Sequence, residues 1–453
     1  MIYPRLPIEH FVRLGSISLQ TGPFGSQLHS YDYVDAGVPV VPTEAIRNRR
    51  IDRSSLPHVS HETAQRLSKH QVILKDILFA RRGAQATGQT AIVRHEDVGA
   101  VCGTGAIRLR VNSLQNDIDA TFLSHYLSTS EAVSWIRAQA IGATMPNLNE
   151  GIIKRLAIPL PSFSEQLLIA TTLDSIDDKI ELNRRMNETL EAMAQAIFRD
   201  WFVDFGPTRR KLEGASDPTT IMGGLVQDTG RAQALADLFP AALGDDGLPE
   251  GWRLGVASAL VEFNPKEPLK KGTPAPYSDM SSLPTSGPLA EPPVEREYGS
   301  GMRFRNGDAL LARITPCLEN GKSAFVNFLP DEQTVGWGST EFYVLRSRKG
   351  VPAPFAYLLV RHPEFRSAAI ASMTGTSGRQ RAQVDQLEAF PFAEPPMELL
   401  GEFGKFILPM FDKITANGCE DRTLAATRDL LLPKLMSGEI RLSEAEDLME
   451  AAQ

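Results

Sequence analysis

The sequence repeats itself at a distance of about 233 residues, and this repeat limits the folds open to the chain. In both halves a strand-rich segment is followed by a Pro-containing stop and then by a long stretch with heptad spacing. Three strings mark the repeat at offsets of 240, 232 and 234 residues: RLG at 13–15 and 253–255, DIL and DAL at 76–78 and 308–310, and DKI at 178–180 and 412–414. Because the same order of elements occurs twice, the sequence predicts a pseudo-two-fold molecule that recognises two similar ligands.

The bulk composition is that of an ordinary globular protein. The chain has 453 residues, of which 42% are hydrophobic and 23% charged, which is enough for two cores. No signal-peptide pattern and no run of 18 apolar residues occurs, so a cytoplasmic location is expected. Cys102, Cys317 and Cys419 are scattered and lie in no CxxC motif, which argues against a metal site or a disulfide framework.

The net charge of −8 conceals an uneven distribution along the chain. Residues 1–160 carry 17 basic and 13 acidic residues, a net +4. The heptad segments carry 4 against 9 (161–205) and 6 against 11 (396–453), each a net −5, and residues 206–395 carry 20 against 22. The acidic residues therefore lie mainly in the helices and the linker. This distribution makes the two strand-rich cores compatible with binding of nucleic acid, and it leaves the helices for protein partners.

Residues 1–160 and 252–395 are predicted to form two α/β (α+β) domains. Short apolar runs such as VPVV at 38–41 and ILFA at 77–80 indicate strands, and residues 119–140 are typical of one helix. Pro159 and Pro161 close the first domain. A Gly- and Asp-rich stretch, 206–251, is predicted to be a linker with a short helix near 229–239.

Two long helices are predicted at 163–205 and 397–440, with a tail to residue 453. Each has a 3,4 spacing that is typical of a coiled-coil seam, so the two seams are expected to pair as an antiparallel spacer. The seam positions are Leu173, Ile176, Ile180, Asn183, Asn187, Leu190, Ala194, Ile197 and Trp201, and then Ile407, Met410, Ile414, Asn417, Asp421, Leu424, Arg428, Leu431 and Leu435.

Three features of these helices leave alternatives open. Asn183 and Asn417 either fix the register of the pair or lie exposed at a splayed end. Pro409 either kinks the second helix or marks its first turn. Apolar residues at the end of the first helix, Phe198, Trp201, Phe202, Val203 and Phe205, are expected to organise the spacer and to offer apolar surface to a partner.

The motifs of DNA-modifying enzymes are absent. ENGKS at 319–323 resembles the end of a phosphate loop, but Pro316 occupies the position of its first glycine. No dinucleotide fingerprint follows a strand, and Glu394-Pro395-Pro396-Met397 is a poor substitute for the Asn/Asp-Pro-Pro-aromatic string that holds an adenine amino group. The eight histidines form no HxxxH or His-Cys cluster. The sequence therefore predicts a protein without catalytic or metal-binding residues.

Polar and basic residues on loops are the remaining candidates for contact with DNA. Arg and Lys bind phosphates, and Arg, Asn and Gln can read base edges in the major groove. The alternatives for these residues are a solvated loop and, beside Gly142 and Gly375, a helix C-cap. The candidates of the first half are Ser26, Gln27, Arg47, Asn48, Arg49, Arg50, Arg81, Arg82, Gln85, Thr144 and Asn147. Those of the second half are Lys266, Lys270, Lys271, Arg313, Lys322, Thr376, Ser377, Arg379, Gln380 and Arg381, with residues 376–380 taken as the counterpart of 143–147.

The chain resembles the DNA-specificity subunits of type I restriction-modification systems. The matching strings are TGPFGSQLHSYDYVDAGVPVV at 21–41, IPLPSFSEQ at 158–166, AIFRDWFVDF at 196–205, GDALLARITPCLENGK at 307–322, GSTEFYVLR at 338–346 and LLLPKLMSGEI at 430–440. The resemblance implies two target-recognition domains, each reading half of a bipartite double-stranded DNA site, joined by two antiparallel helices.

The same resemblance implies the partners of the chain. The helices would hold two methyltransferase (modification) subunits, which bring S-adenosylmethionine, and through them restriction subunits, which bring ATP and Mg. The chain itself would carry no cofactor and no catalytic residue. The alternative is a stand-alone, two-headed DNA-bridging or regulatory protein, which would bind DNA without enzymatic partners.

Overall fold

The computed structural model describes residues 3–83, 86–112, 114–140, 147–376 and 378–440. The chain divides into two compact units, and the first unit takes residues from both ends of the sequence. The first unit comprises residues 1–180 and 422–453, and the second comprises residues 181–421. None of the helices among the described residues is long and apolar enough to cross a membrane.

The first unit is a mixed α/β structure. Its elements, in chain order, are β1 (Arg5–Pro7), α1 (Ile8–Leu14), β2 (Ile17–Thr21), β3 (Tyr33–Val34), β4 (Val38–Val41), β5 (Ile46–Arg47), β6 (Arg50–Ile51), β7 (His58–Val59), α2 (His61–Arg66), β8 (Ile77–Ala80), β9 (Thr90–Ile92), β10 (Val101–Cys102), β11 (Ala106–Val111), α3 (Ala120–Leu127), α4 (Ser130–Gln139), α5 (Glu150–Arg155), β12 (Ala157–Pro159) and the beginning of α6 (Phe163–Phe202).

The second unit begins with the rest of α6 and ends within the last helix. Its further elements are α7 (Gly206–Leu212), α8 (Pro218–Ile221), α9 (Thr229–Ala236), β13 (Arg253–Val256), α10 (Ala257–Leu260), β14 (Val261–Phe263), β15 (Pro274–Ser278), β16 (Val294–Glu297), β17 (Met302–Phe304), β18 (Ala309–Ala312), β19 (Ser323–Phe325), β20 (Gly336–Gly338), β21 (Phe342–Ser347), α11 (Pro354–Arg361), α12 (Pro363–Ala371), α13 (Val384–Glu388), β22 (Pro391–Glu394) and α14 (Met397–Ser437).

The sheet topology confirms the internal repeat. An antiparallel four-stranded sheet has the order β2-β11-β8-β9 in the first unit and β14-β21-β18-β19 in the second. A further four-stranded sheet contains one parallel pair in each unit, β10 with β4 and β20 with β15. A two-stranded ladder then closes each domain, β1 with β12 and β13 with β22. The predicted α/β class and duplicated architecture are confirmed.

A buried ion pair is built twice at the start of the central strand pair. Arg110 on β11 donates from Nε and Nη2 to the two oxygens of Asp76, each at 2.7 Å, just before β8. Arg346 on β21 makes the same two 2.7 Å contacts with Asp308, just before β18. Both aspartates are 1% exposed. Because such a bidentate contact has a fixed geometry, it sets where β8 and β18 begin, and hence where their far ends lie.

The core of the first unit is completed by both long helices. One cluster contains Ile107 and Leu109 of β11, Phe122 of α3, Leu173 of α6 and Leu431 of α14. Leu173 and Leu431 are each 0% exposed. The predicted pairing of the two seams therefore occurs here, between residues that are far apart in sequence.

The core of the second unit is aromatic at the end of α6. Phe198, Trp201 and Phe202 are each 1% exposed, and the ring of Phe202 lies 4.8 Å from that of Phe403 on α14. The prediction that these side chains offer apolar surface to a partner is wrong for all three, because they pack inside the unit. Phe205 is also buried, at 8% exposure.

Residues 206–251 are better ordered than a linker. The predicted helix near 229–239 is present as α9, but α7 and α8 were not anticipated. Ile221, Met222 and Phe239 join the main core of the second unit. The Gly- and Asp-rich composition hid these short helices, because each buries only a few side chains and shows little periodicity.

Within the second unit, α6 and α14 run antiparallel and meet in a polar layer. Asn183 Nδ2 donates to Glu420 Oε2 and Asp421 Oδ1, both at 2.8 Å, and Asn417 Nδ2 donates to Asn187 Oδ1 at 2.8 Å. Asn183 is 1% and Asn417 0% exposed, which excludes the alternative of a splayed end. The register role remains a prediction, supported by these specific partners.

Some predicted helix boundaries differ from the structure. Residues 119–140 form two helices, because the hydroxyl of Thr129 accepts a hydrogen bond from Ala132 N (3.2 Å) and starts α4 as a new helix. Pro409 is not in the first turn of α14, which begins twelve residues earlier at Met397. The long helices end at Phe202 and Ser437, slightly before the predicted ends.

The shared core leads to a stability prediction. Leu431→Ala removes a fully buried side chain of the first unit and should lower the free energy of unfolding by about 2–5 kcal/mol. The matched control is Leu430→Ala, since Leu430 is 52% exposed and should change stability by less than about 0.5 kcal/mol. Urea titrations of the two variants provide the measurement. Equal midpoints for the two variants would show that α14 does not complete this core.

Candidate nucleic-acid interface

The end of β8 brings three of the predicted DNA-binding residues together. Arg81 follows β8 directly, and its Nε donates to Asn147 Oδ1 at 3.0 Å and to the carbonyl of Leu148 at 3.1 Å. Arg82 is exposed and forms a backbone bridge with Asn147. Two loops that are 66 residues apart in sequence thus form one polar edge.

A recess of about 360 Å³ lies beside Arg82. Its lining includes Tyr33, Glu44 and Thr104, which the sequence analysis did not select. The GTG string at 103–105 was the available signal, because a side chain at Gly103 would place its Cβ 2.5 Å from the carbonyl oxygen of Val41. The sequence signal for this edge is therefore a glycine that allows two backbone segments to lie close together, and not a pattern of charged residues.

The same edge is built in the second unit with different side chains. Arg313 follows β18, and its Nε donates to Glu341 Oε2 at 3.2 Å. Arg381 donates from Nε (2.9 Å to Oε2) and from Nη2 (2.6 Å to Oε1) to the same carboxylate. The hydrogen bond from Arg381 is the largest influence on the pKa of Glu341 and holds it below its usual value, although burial acts in the opposite direction.

Backbone hydrogen bonds establish which residues correspond in the two units. Leu148 N donates to the carbonyl of Arg81 at 2.9 Å, and Ala382 N donates to that of Arg313 at 2.8 Å. Asn147 and Arg381, which precede these donors, are therefore equivalent. The sequence alignment of Asn147 with Gln380 was wrong by one residue, because these equivalent residues are 234 apart and not 233.

The remaining candidates of the second unit are dispersed along its loops. Lys266, Lys270, Lys271, Thr376 and Arg379 are exposed. Gln380 is half-buried, and its N–H donates to Thr315 Oγ1 at 3.1 Å, which fastens the loop to the end of β18. Lys322 Nζ donates to the carbonyl of Met280 at 2.7 Å and so ties two loops together.

Ser26 and Gln27 are exposed on the turn after β2. The side chain of Gln27 accepts a hydrogen bond from Phe24 N at 3.1 Å, which stabilises that turn. Neither residue lines the recess beside Arg82. Gln85, Thr144 and Ser377 lie outside the described residues, as does Gly142.

The basic string at 47–50 forms a hairpin that faces helix α6. Asn48 and Arg49 form its two-residue turn, with φ of 51° and 59°, which is typical of a type I′ hairpin. Arg49 is 5% exposed and pairs with Asp174 (3.0 Å) and Asp177. Arg50 Nη2 donates to the carbonyl of Asp177 at 3.2 Å.

This placement changes the role of the string. Arg49 was predicted to contact DNA, but its guanidinium is buried against two carboxylates and secures the hairpin to the helix. Arg47 is paired with Asp52 and keeps a 61% exposed side chain, and Asn48 is exposed. Sequence alone did not distinguish the four residues, because the two aspartates that bind Arg49 are more than 120 residues away.

His125 belongs to the same charged cluster. The side chain of His125 is 0% exposed, and its Nε2 lies 2.9 Å from Asp174 Oδ1. Burial, followed by the nearby charge of Arg49, lowers the pKa of His125 to about 4. Burial alone would raise the pKa of Asp174, but the hydrogen bond from His125 and the charge of Arg49 lower it to about 2.

The donor atoms of His125, Asp174 and Asp177 lie within 4.8 Å of one another, a spacing that a metal ion could use. The guanidinium of Arg49 already lies between the two carboxylates. A cation therefore occupies the position that a metal would need. We assign the cluster to the attachment of the hairpin and α3 to the helix.

The comparisons with known proteins agree with this geometry. Residues 27–192 match the family model described as the type I restriction modification DNA specificity domain. The chain is 26% identical over 331 residues to the type I restriction enzyme MjaIX specificity subunit of Methanocaldococcus jannaschii, covering 73% of this chain and 71% of that protein. It is 23% identical over 357 residues to the HindI specificity subunit of Haemophilus influenzae, covering 70% and 77%.

The fold is also that of a solved structure. The type I restriction-modification S subunit from M. genitalium superposes with a TM-score of 0.54 at 15% identity, over 96% of each chain. The duplicated units carry basic and polar side chains on equivalent loop edges. The chain is similar to the specificity subunits of type I restriction-modification systems, as its sequence resemblance predicted.

The cluster around His125 predicts acid sensitivity. Because its folded pKa of about 4 lies below the unfolded value of 6.5, the unfolded state binds more protons on acidification. Stability should therefore be complete above about pH 6.5 and fall by up to a few kcal/mol as the pH approaches 4. His125→Gln keeps a donor for Asp174 and should flatten this slope in urea titrations between pH 7 and 4.5. An unchanged slope in the variant would remove His125 as its cause.

Proposed function

We propose that this chain is the DNA-specificity subunit of a type I restriction-modification complex and that each unit reads one half of a bipartite duplex site. The observation that carries the proposal is the loop edge at the ends of β8 and β18. The backbone construction is the same in both units, and Arg81 has an equivalent arginine in Arg313, but Gly105 and Asn147 of the first unit correspond to Glu341 and Arg381 of the second. Equivalent scaffolds with different polar groups suit the reading of two different half-sites.

The proposal assigns recognition, and no chemistry, to this chain. The polar groups at both edges are guanidinium, amide and hydroxyl donors, which bind bases and phosphates. We assign methyl transfer and its S-adenosylmethionine to modification subunits, and ATP and Mg to restriction subunits, because the sequence has neither a phosphate loop nor a dinucleotide fingerprint. The acidity of the heptad segments would keep DNA away from the helices.

The partner surface proposed here is an apolar stripe on α6. Leu182, Met186 and Met193 are 55%, 36% and 44% exposed, and each immediately precedes a buried or half-buried position. Their spacing of 4 and 7 residues places them on one face of the helix. We propose that this stripe, rather than the buried aromatic residues at the end of the helix, receives a helical face of a modification subunit.

The function is tested in cells that express the chain with its modification subunits and lack other DNA methylation. Mapping of modified bases should show one bipartite motif that disappears when this chain is omitted. The purified chain alone should transfer no methyl group from S-adenosylmethionine. A motif that persists without the chain would contradict the assignment. Tight, sequence-specific binding by the chain alone, with no copurifying subunits, would favour the stand-alone regulator.

The stripe is tested by Leu182→Glu combined with Met186→Glu. Two apolar contacts of about 1.5–3 kcal/mol each should be lost, so the affinity for the modification subunit should fall at least tenfold. Leu254→Glu is the matched control, since Leu254 is 63% exposed and lies on β13 of the same unit. Copurification and titration by calorimetry provide the measurement. A loss shared equally with the control would show that the stripe is not the docking surface.

A further inference from the structure

The carboxylate of Glu341 holds two arginines that come from separate loops. Arg313 follows β18, Arg381 precedes α13, and Glu341 lies between β20 and β21. Their side chains remain 30%, 43% and 21% exposed respectively. Two guanidinium groups and one carboxylate leave a net charge of +1 at the loop edge.

The contacts leave hydrogen-bond donors on both arginines. Arg381 uses Nε and Nη2 on Glu341, so Nη1 takes no part in that contact. Arg313 uses only Nε on Glu341, and its guanidinium carbon lies 5.5 Å from the centre of the Tyr343 ring. The ring and the carboxylate restrict the rotation of both side chains before any ligand arrives, which lowers the entropy cost of binding.

Other arginine–carboxylate contacts of the second unit are more buried or have a single arginine. Glu267 binds Arg305 and Arg346 at 2.6 Å each, but its side chain is only 5% exposed. The Arg346–Asp308 pair has one arginine on a carboxylate that is 1% exposed, and it anchors a strand. The Arg253–Glu394 pair has one arginine that is 82% exposed, without a second cation. The Glu341 triad therefore differs in combining two guanidinium groups with a partly exposed carboxylate at a loop edge, where both arginines remain accessible to a ligand.

Among the described residues of the first unit, no such triad stands at the equivalent place. The N–H of Arg81 donates to the carbonyl of Gly105 at 2.8 Å, and that of Arg313 donates to the carbonyl of Glu341 at 3.0 Å, which makes Gly105 and Glu341 equivalent. Asn147 stands where Arg381 stands. One half thus presents an arginine and an amide, and the other presents two arginines on a carboxylate.

We infer that Arg381 and Arg313, positioned by Glu341, form the guanine-reading element of the second unit. The inference rests on the proposed function and names the residues and the base class at its second recognition edge. Guanine presents two acceptors, O6 and N7, in the major groove, which an arginine donor pair matches. Glu341 is a positioning residue, because it acts through the arginines. The amide of Asn147 in the first unit would give that unit a different base preference.

The inference is tested in the complex assembled with its modification subunits. The motif is first mapped from modified bases, and duplexes carrying every single base change in each half-site are then titrated. Arg381→Ala should reduce discrimination at one G·C pair of one half-site by about 5- to 150-fold and leave the other half-site unchanged. Arg381→Lys keeps the charge but lacks the fork, so it should lose most of the same discrimination.

The positioning role of Glu341 needs its own variants. Glu341→Gln should weaken the same discrimination. The matched control is Arg253→Ala, which breaks the exposed Arg253–Glu394 ion pair of the same unit and should leave the discrimination intact. Thermal unfolding of each variant separates misfolding from altered reading, and Arg381→Lys retains an ion-pair partner for Glu341 if the alanine variant fails to fold.

Two outcomes would overturn the inference without touching the proposed function. The first is a uniform loss of affinity across all sequences, with a salt dependence reduced by about one charge, which would make Arg381 a phosphate contact. The second is a mapped motif without a G·C pair sensitive to Arg381. If the wild-type complex shows no sequence preference at all, the proposed function itself fails.

Discussion

The sharing of two long helices between two units is the constraint on which the rest of the structure depends. Residues 163–180 and 422–437 belong to the first unit, and 181–202 and 397–421 belong to the second. The first unit therefore does not complete its core from a continuous segment, whereas the second unit is the continuous segment 181–421. Leu431 near the end of the chain is buried among residues of the first domain, so that core needs residues from both ends of the sequence.

Buried polar contacts join the two helices at specific partners. We expect the Asn187–Asn417 contact and the contacts of Asn183 to cost stability compared with leucine and to favour one alignment of the two helices. The Asp76–Arg110 and Asp308–Arg346 pairs act similarly on the strands. Because these pairs fix the beginnings of β8 and β18, they also fix the loop ends from which Arg81 and Arg313 project. The candidate recognition residues are thus placed by buried ion pairs at the other end of the strand.

The two loop edges show how duplication and divergence are combined. The backbone contacts are conserved between the units, down to hydrogen bonds of 2.8–3.0 Å that join equivalent residues. The side chains differ in charge at Gly105 and Glu341 and at Asn147 and Arg381. A scaffold whose geometry is held by main-chain hydrogen bonds can change these side chains without refolding, which is what the reading of two different half-sites requires.

The sequence alone determined the repeat, the α/β class, the paired heptad helices and the resemblance to type I specificity subunits. These follow from periodicity and from local strings, which need no knowledge of distant contacts. It also selected Arg81, Asn147, Arg313 and Arg381 for their types and loop positions. Their grouping into two equivalent edges was decided by the tertiary structure.

Only the tertiary structure separated buried from accessible basic residues. Arg49 and Arg47 look alike in the string at 47–50, yet Arg49 is buried because Asp174 and Asp177 lie on a helix that the hairpin meets only in the fold. Glu341, Tyr33 and Glu44 gave no sequence signal for the same reason. Charge, burial and partnership depend on neighbours that are distant in sequence, and composition and spacing carry no record of those neighbours.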